Sequence, residues 1–148
     1  MRQKLKVVII DDEKDVRESI SQWLMLSGFE TQEFQSAQQA LKVINKDYPG
    51  VIISDIKMPD LNGIEFLKKL MIKDSTIPVI LITGHGDVSM AVEAMHLGAY
   101  DFLEKPFDPN KIVEISKRAL INRKLVLDNR SLRRELSDGT VIIKKLVG

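Results

Sequence analysis

Short apolar runs alternate along this chain with stretches in which apolar residues recur every three or four positions, and Gly, Pro, Asn or Asp marks most junctions. The runs predict strands and the stretches predict helices, giving repeated strand–helix units around a parallel sheet, the doubly wound α/β class. Leu5–Ile10 predicts the first strand. Lys14–Ser27 predicts a helix with Val16, Ile20, Trp23, Leu24 and Leu26 as its apolar stripe and Gly28 as its stop. Phe29–Phe34 predicts a more polar strand, and Ser36 with Gln39 fits a capping box for a helix from Ala37 to about Asn45. Val51–Ser54, apolar until its end, predicts a strand buried on both faces, followed by a loop at Met58–Gly63 and a helix over Ile64–Ile72. Pro78–Thr83 predicts the fourth strand, Val88–Leu97 a helix with Asp87 at its N-cap and Gly98 at its stop, and Ala99–Glu104 the fifth strand.

Asp108-Pro109 then places a capping carboxylate before a proline suited to a first helical turn, and nothing breaks the helix until Gly139. A five-stranded sheet needs only the first three or four turns of this helix as cover, so the rest is expected to project. In a heptad reading Asn122, Leu125, Asn129, Leu132 and Leu136 form one seam. Two readings stay open: an amphipathic linker that frays alone, or a dimeric coiled coil joined through Leu125, Leu132 and Leu136, with a buried Asn fixing register. Thr140–Val147 reads as the entry to a further domain. The chain thus divides into a domain at 1–120, a helical linker at 121–139 and the start of an output domain at 140–148.

Composition narrows the class. The 148 residues, 44% hydrophobic, allow one ordinary core. No apolar stretch is long enough for a membrane span, and Met1-Arg2-Gln3-Lys4 leads into a strand-length run, so a cytoplasmic protein is expected. With no cysteine, disulfides, thiolate metal sites and thiol catalysis are excluded. The net charge of +1 conceals an uneven split: residues 1–110 carry 12 Lys/Arg against 17 Asp/Glu, and residues 111–148 carry 10 against 4. A basic tail can signal nucleic acid. Here the basic residues interleave with apolar ones at helical spacing and few aromatics accompany them, so no direct nucleic-acid contact is expected of this chain.

The chemistry lies where the strands end. Val7–Ile10 runs into Asp11-Asp12, Val51–Ser54 into Asp55, Val79–Ile82 into Thr83, and Phe102–Glu104 into Lys105-Pro106. In an open parallel sheet these termini share one edge, where such folds bind ligands. Asp55 is the candidate nucleophile, since Asp accepts phosphoryl groups covalently; its bland alternative is a turn cap before Pro59. Asp11 and Asp12 beside it would repel strongly without a cation. Magnesium suits an oxygen-rich set completed by waters and phosphate, with manganese able to substitute; alternatively the acidic pair merely serves a helix N-terminus. Lys105 can reach phosphoryl oxygens with a compact positive charge, and Thr83 can offer a hydroxyl. Lys105-Pro106 has access to the cis form.

Asp11-Asp12, Asp55-Ile56-Lys57-Met58-Pro59, Thr83 and Lys105-Pro106 together resemble the pattern of response-regulator receiver domains over residues 5–120. Thr83-Gly84-His85-Gly86-Asp87, Ala91-Val92, Ala94-Met95 and Gly98–Phe102 further resemble receivers of nitrogen-regulator-type, sigma-54-dependent transcriptional activators, dicarboxylate-transport regulators among them. The resemblance implies a flavodoxin-like sheet in the order 2-1-3-4-5. It implies that Asp55 takes a phosphoryl group from a sensor histidine kinase, that Asp12, Asp55 and the main-chain carbonyl of Lys57 hold magnesium, and that Asp11 acts through water. Phe102 matches the aromatic switch, moving as Thr83 is drawn toward the phosphoryl group. His85 occupies a place where the family tunes dephosphorylation, or is simply a solvated loop histidine. The implied outputs are an ATPase domain engaging sigma-54 polymerase and a DNA-binding domain.

Two other functions compete. A haloacid-type phosphatase shares the Asp nucleophile and magnesium but needs a second Asp two residues later, where this chain has Lys57. With no general acid or base nearby, slow self-phosphorylation and self-dephosphorylation are all the catalysis expected. A dimerisation module indifferent to phosphorylation would be marked by loss of a site residue, and none is lost.

Overall fold

Odd and even positions of each central strand face opposite ways, and this alternation organises the computed structural model, which describes residues 4–84 and 86–137. Val7, Ile9, Val51, Ile53, Ile80 and Ile82 pack on one face against Ile20 and Leu24 of helix α1 (Lys14–Leu26) and Ile112, Ile115 and Ala119 of helix α5 (Pro109–Ser137). Val8, Ile10, Ile52, Val79 and Leu81 pack on the other against α2 (Ala37–Val43), α3 (Gly63–Lys73) and α4 (Val88–His96). Each fully buried aliphatic side chain contributes about 1.5–3 kcal/mol, so these two layers dominate the fold's stability. The strands are β1 (Lys6–Ile10), β2 (Glu30–Phe34), β3 (Gly50–Asp55), β4 (Val79–Thr83) and β5 (Asp101–Glu104). They form one parallel sheet in the order β2-β1-β3-β4-β5, the flavodoxin-like topology expected.

Local signals set most boundaries. Ser36 accepts from the Gln39 amide at 3.2 Å, Asn62 from the Glu65 amide at 2.9 Å and Asp108 from the Asn110 amide at 2.9 Å, each supplying an acceptor to an otherwise orphaned helix donor. Gly28 and Gly98 take positive φ just after α1 and α4, as helix stops do.

Three expectations need correction. Leu26 is 87% exposed, because its angular position on α1 lies away from Ile20 and Leu24. Asp87 stands at the N-cap of α4 yet makes no capping bond through its side chain; its carboxylate pairs instead with Lys57 at 3.2 Å. The linker half of α5 does not leave the domain after three or four turns, since Arg123 is fully buried and Arg130 is bonded to Asp47 and Asp74. Beyond them Leu132 is 52% exposed, and Asn122, Leu125 and Asn129 of the same seam also face outward, with Leu136 partly covered. The expected domain entry at 140–148 and the loop residue His85 lie outside the described residues.

Candidate functional site

The strand termini converge as the sequence requires. The parallel register places Ile10 beside Ser54, Asp55 beside Ile82 and Thr83 beside Glu104, so Asp11, Asp55, Thr83 and Lys105 follow one another along one edge. Asp11, Asp12 and Asp55 each bring a carboxylate oxygen within 4.8 Å of the others. Asp11 and Asp55 are buried while Asp12 is exposed, leaving the cluster open on one side.

Each carboxylate is held differently. Asp11 Oδ1 accepts from the Glu13 amide at 2.9 Å, whereas its buried Oδ2 has no partner among the described residues. Burial pushes the Asp11 carboxyl up to about 6, with the charges of Asp55 and Asp12 adding to the rise and the Glu13 amide and Lys105 opposing it. Asp55 Oδ1 accepts from the Lys57 amide at 3.3 Å, and Oδ2 from the Lys105 ammonium at 3.2 Å. Burial would lower the pKa of Lys105; the charge and hydrogen bond of Asp55 outweigh it and raise the value, so this lysine stays a cation. Lys105 precedes a cis peptide bond to Pro106, and its amide bonds the Thr83 carbonyl at 2.8 Å, fixing the end of β5 to the end of β4.

Thr83 and Phe102 lie on the two strands next to this edge. Thr83 is fully buried and its hydroxyl has no hydrogen-bond partner among the described residues, an arrangement that costs roughly 1–3 kcal/mol. Phe102, two residues before Glu104 on β5, is half-buried against the layer containing α3 and α4. An open cavity of about 440 Å³ beside the carboxylates is lined by Asp12, Lys57, Met58, Pro59, Asn62 and Met90.

The structure adds residues the sequence did not mark. Arg17 donates to the Asp11 carbonyl at 2.8 Å and to Glu33 at 3.1 Å, bracing the loop after β1. Gly63 sits so close to β3 that a Cβ would lie 2.8 Å from both the Asp55 carbonyl and Ile56 Cα. A glycine directly after an Asn cap was the readable hint. The side chains of Leu125, Leu132 and Leu136 lie on α5, apart from this edge.

Three converging carboxylates, one with a buried orphan oxygen, could hold a divalent, oxygen-seeking ion such as magnesium.

Five parallel strands in this order, with an acidic cluster at one edge of the sheet, are the architecture of a receiver domain, and the chain belongs to the response regulator receiver domain family, whose profile matches residues 7–117. Within that family it resembles the C4-dicarboxylate transport transcriptional regulatory protein DctD of Rhizobium meliloti, with 46% identity over 128 residues, 86% of this chain and 28% of that protein. The crystal structure of FixJ-N is 45% identical with a TM-score of 0.70, covering 81% of this chain and 95% of that one. The receiver domain of NtrX from Brucella abortus is 35% identical with a TM-score of 0.73, covering 78% and 98%. The chain spans less than a third of the length of the DctD relative. Among the described residues no helix is long and apolar enough to cross a membrane.

Proposed function

We propose that this chain is the phosphoacceptor of a two-component response regulator, with Asp55 receiving the phosphoryl group of a sensor histidine kinase. The observation that carries this reading is the meeting of Asp11, Asp12 and Asp55 within 4.8 Å, closed by Lys105 at 3.2 Å from Asp55. An Asp55 oxygen forms the new bond to phosphorus as the bond from phosphorus to the donor's leaving atom breaks. Lys105 then shares its charge with the phosphoryl oxygens, and Thr83, whose hydroxyl has no partner among the described residues, turns to bond one of them. Phe102 moves into the space that Thr83 leaves, altering the face formed by α4, β5 and α5. Two populated packings exchange, since a close-packed core does not deform continuously.

Magnesium would be held by Asp12, Asp55 and the Lys57 carbonyl, with Asp11 acting through water, and manganese would substitute. When bound, it neutralises charge on the transferring phosphoryl group. Lys57, in the place where a phosphatase needs a second Asp, leaves Asp55 without the acid–base residue of that mechanism. The domain is therefore a timer rather than a turnover enzyme, limited to slow self-phosphorylation and self-dephosphorylation.

Downstream, the exposed seam of α5 joins two copies through Leu125, Leu132 and Leu136, and phosphorylation controls that pairing. Likeness to DctD favours a transcriptional output that depends on sigma-54, delivered by ATPase and DNA-binding domains, in the cytoplasm. Incubation with a small phosphodonor and magnesium should add one phosphoryl mass to the wild type and none to Asp55→Asn. An equal gain in both would move the nucleophile elsewhere.

A further inference from the structure

The sheet edge opposite Asp55 carries an ionic knot that the phosphoryl chemistry does not use. Asp74 follows α3 and precedes β4, so it lies where a parallel strand begins, whereas Asp55 lies where one ends. Its side chain is only 1% exposed. It accepts from Arg123 Nη2 at 3.1 Å, Arg130 Nη1 at 2.6 Å and Nη2 at 3.0 Å, the Thr76 hydroxyl at 2.6 Å and amide at 3.1 Å, and the Asp47 amide at 3.1 Å. Arg123, fully buried, also donates Nε to the Tyr48 carbonyl at 3.0 Å and Nη1 to the Thr76 hydroxyl at 2.8 Å. Arg130 reaches Asp47 Oδ1 at 2.7 Å, and Asp47 adopts a left-handed φ of 65°.

Asp74 thus joins the loop before β3, the end of α3 and the second half of α5. A buried guanidinium cannot part from its carboxylate without stranding a charge in low dielectric, so this contact resists fraying far better than a surface pair. Arg123 and Arg130 stand two turns apart on one side of α5. One anchor would let the helix pivot; two fix its direction.

We propose that Asp74 is the anchor through which the domain body dictates the direction of its outgoing helix, making the body and α5 as far as Arg130 one rigid lever. The exposed Leu125 and Leu132 are then presented at a fixed bearing. This coupling is separate from whether Asp55 is phosphorylated.

The cysteine-free chain permits a direct test. Spin labels at Lys68→Cys on α3 and Glu135→Cys on α5 report the lever, and labels at Lys68→Cys and Glu18→Cys report the body, with excess unlabelled protein restricting the signal to pairs within one chain. In Arg130→Gln, a change at a partly exposed position, and in Asp74→Asn, the lever distance distribution should broaden and shift while the body distance stays as in the wild type. Broadening in either folded variant supports the anchor. Unchanged lever distances in every variant that retains the body distance overturn it, including variants whose melting temperature falls.

Discussion

Lys105 and Asp55, fifty residues apart in sequence, meet at 3.2 Å across the ends of two strands separated by β4. Removing the cation leaves three carboxylates without their internal counter-charge. Lys105→Met should therefore bind manganese more tightly, by about 1 kcal/mol for a partly exposed pair, while gaining less phosphoryl mass from a small donor. Weaker metal binding measured by calorimetry would contradict the charge balance described here.

Thr83 makes the opposite kind of prediction. Its buried hydroxyl has no partner among the described residues, so Thr83→Val should leave the unphosphorylated domain as stable as the wild type or more stable by about 1 kcal/mol. The same variant should still acquire the phosphoryl group yet fail to shift the amide resonances of Phe102 on phosphorylation. Chemical denaturation and NMR check the two halves separately.

Gly63 leaves no room for a side chain against the Asp55 carbonyl and Ile56 Cα. Because both obstacles are backbone, Gly63→Ala should cost about 1–3 kcal/mol of stability and slow phosphorylation by displacing α3 from β3. An alanine variant with wild-type stability would show that the two backbones separate more easily than this contact indicates.

Asp74 governs the acid limb of stability. Burial alone would raise its pKa, but the hydrogen bonds from Arg130, Thr76 and the Asp47 amide outweigh burial and hold the carboxyl well below the usual carboxylate range. With the folded value depressed, its stabilisation is present above the unfolded value of about 3.9 and drains away as pH falls through the folded one. Asp74→Asn should lose about 3 kcal/mol at neutral pH, as removing one partner of a buried pair does, and show a flatter stability profile below about pH 4. Parallel profiles for the two proteins would count against this assignment.

Leu132, 52% exposed on the seam, tests assembly. Leu132→Asp should sediment as a monomer under conditions where the wild type forms dimers, and an unchanged dimer would place the interface elsewhere.

Much of this was legible in the chain. Val7–Ile10, Val51–Ser54 and Val79–Ile82 are apolar on both faces and each ends in a reactive side chain, so strand identity and site edge could be read together. Less legible was what depends on distant partners. Arg123 and Arg130 look like solvated helix residues until Asp74, 49 and 56 positions away, is folded against them. That pairing also answers part of the basic excess after residue 110 with acidic groups of the domain itself. Leu26 misled because an apolar residue near a helix end fits a stripe by composition while its angle points outward. The pairing of Asp87 with Lys57 likewise depends on two loops that sequence spacing cannot bring together.

The border strand β2 reads Glu-Thr-Gln-Glu-Phe, with Glu30 facing Lys4 and Glu33 facing Arg17. Its unpaired backbone rim is thereby guarded by carboxylates, which disfavour the addition of a sixth strand from a neighbouring molecule. Ribbon-like stacking of sheets through the β2 border is thereby discouraged.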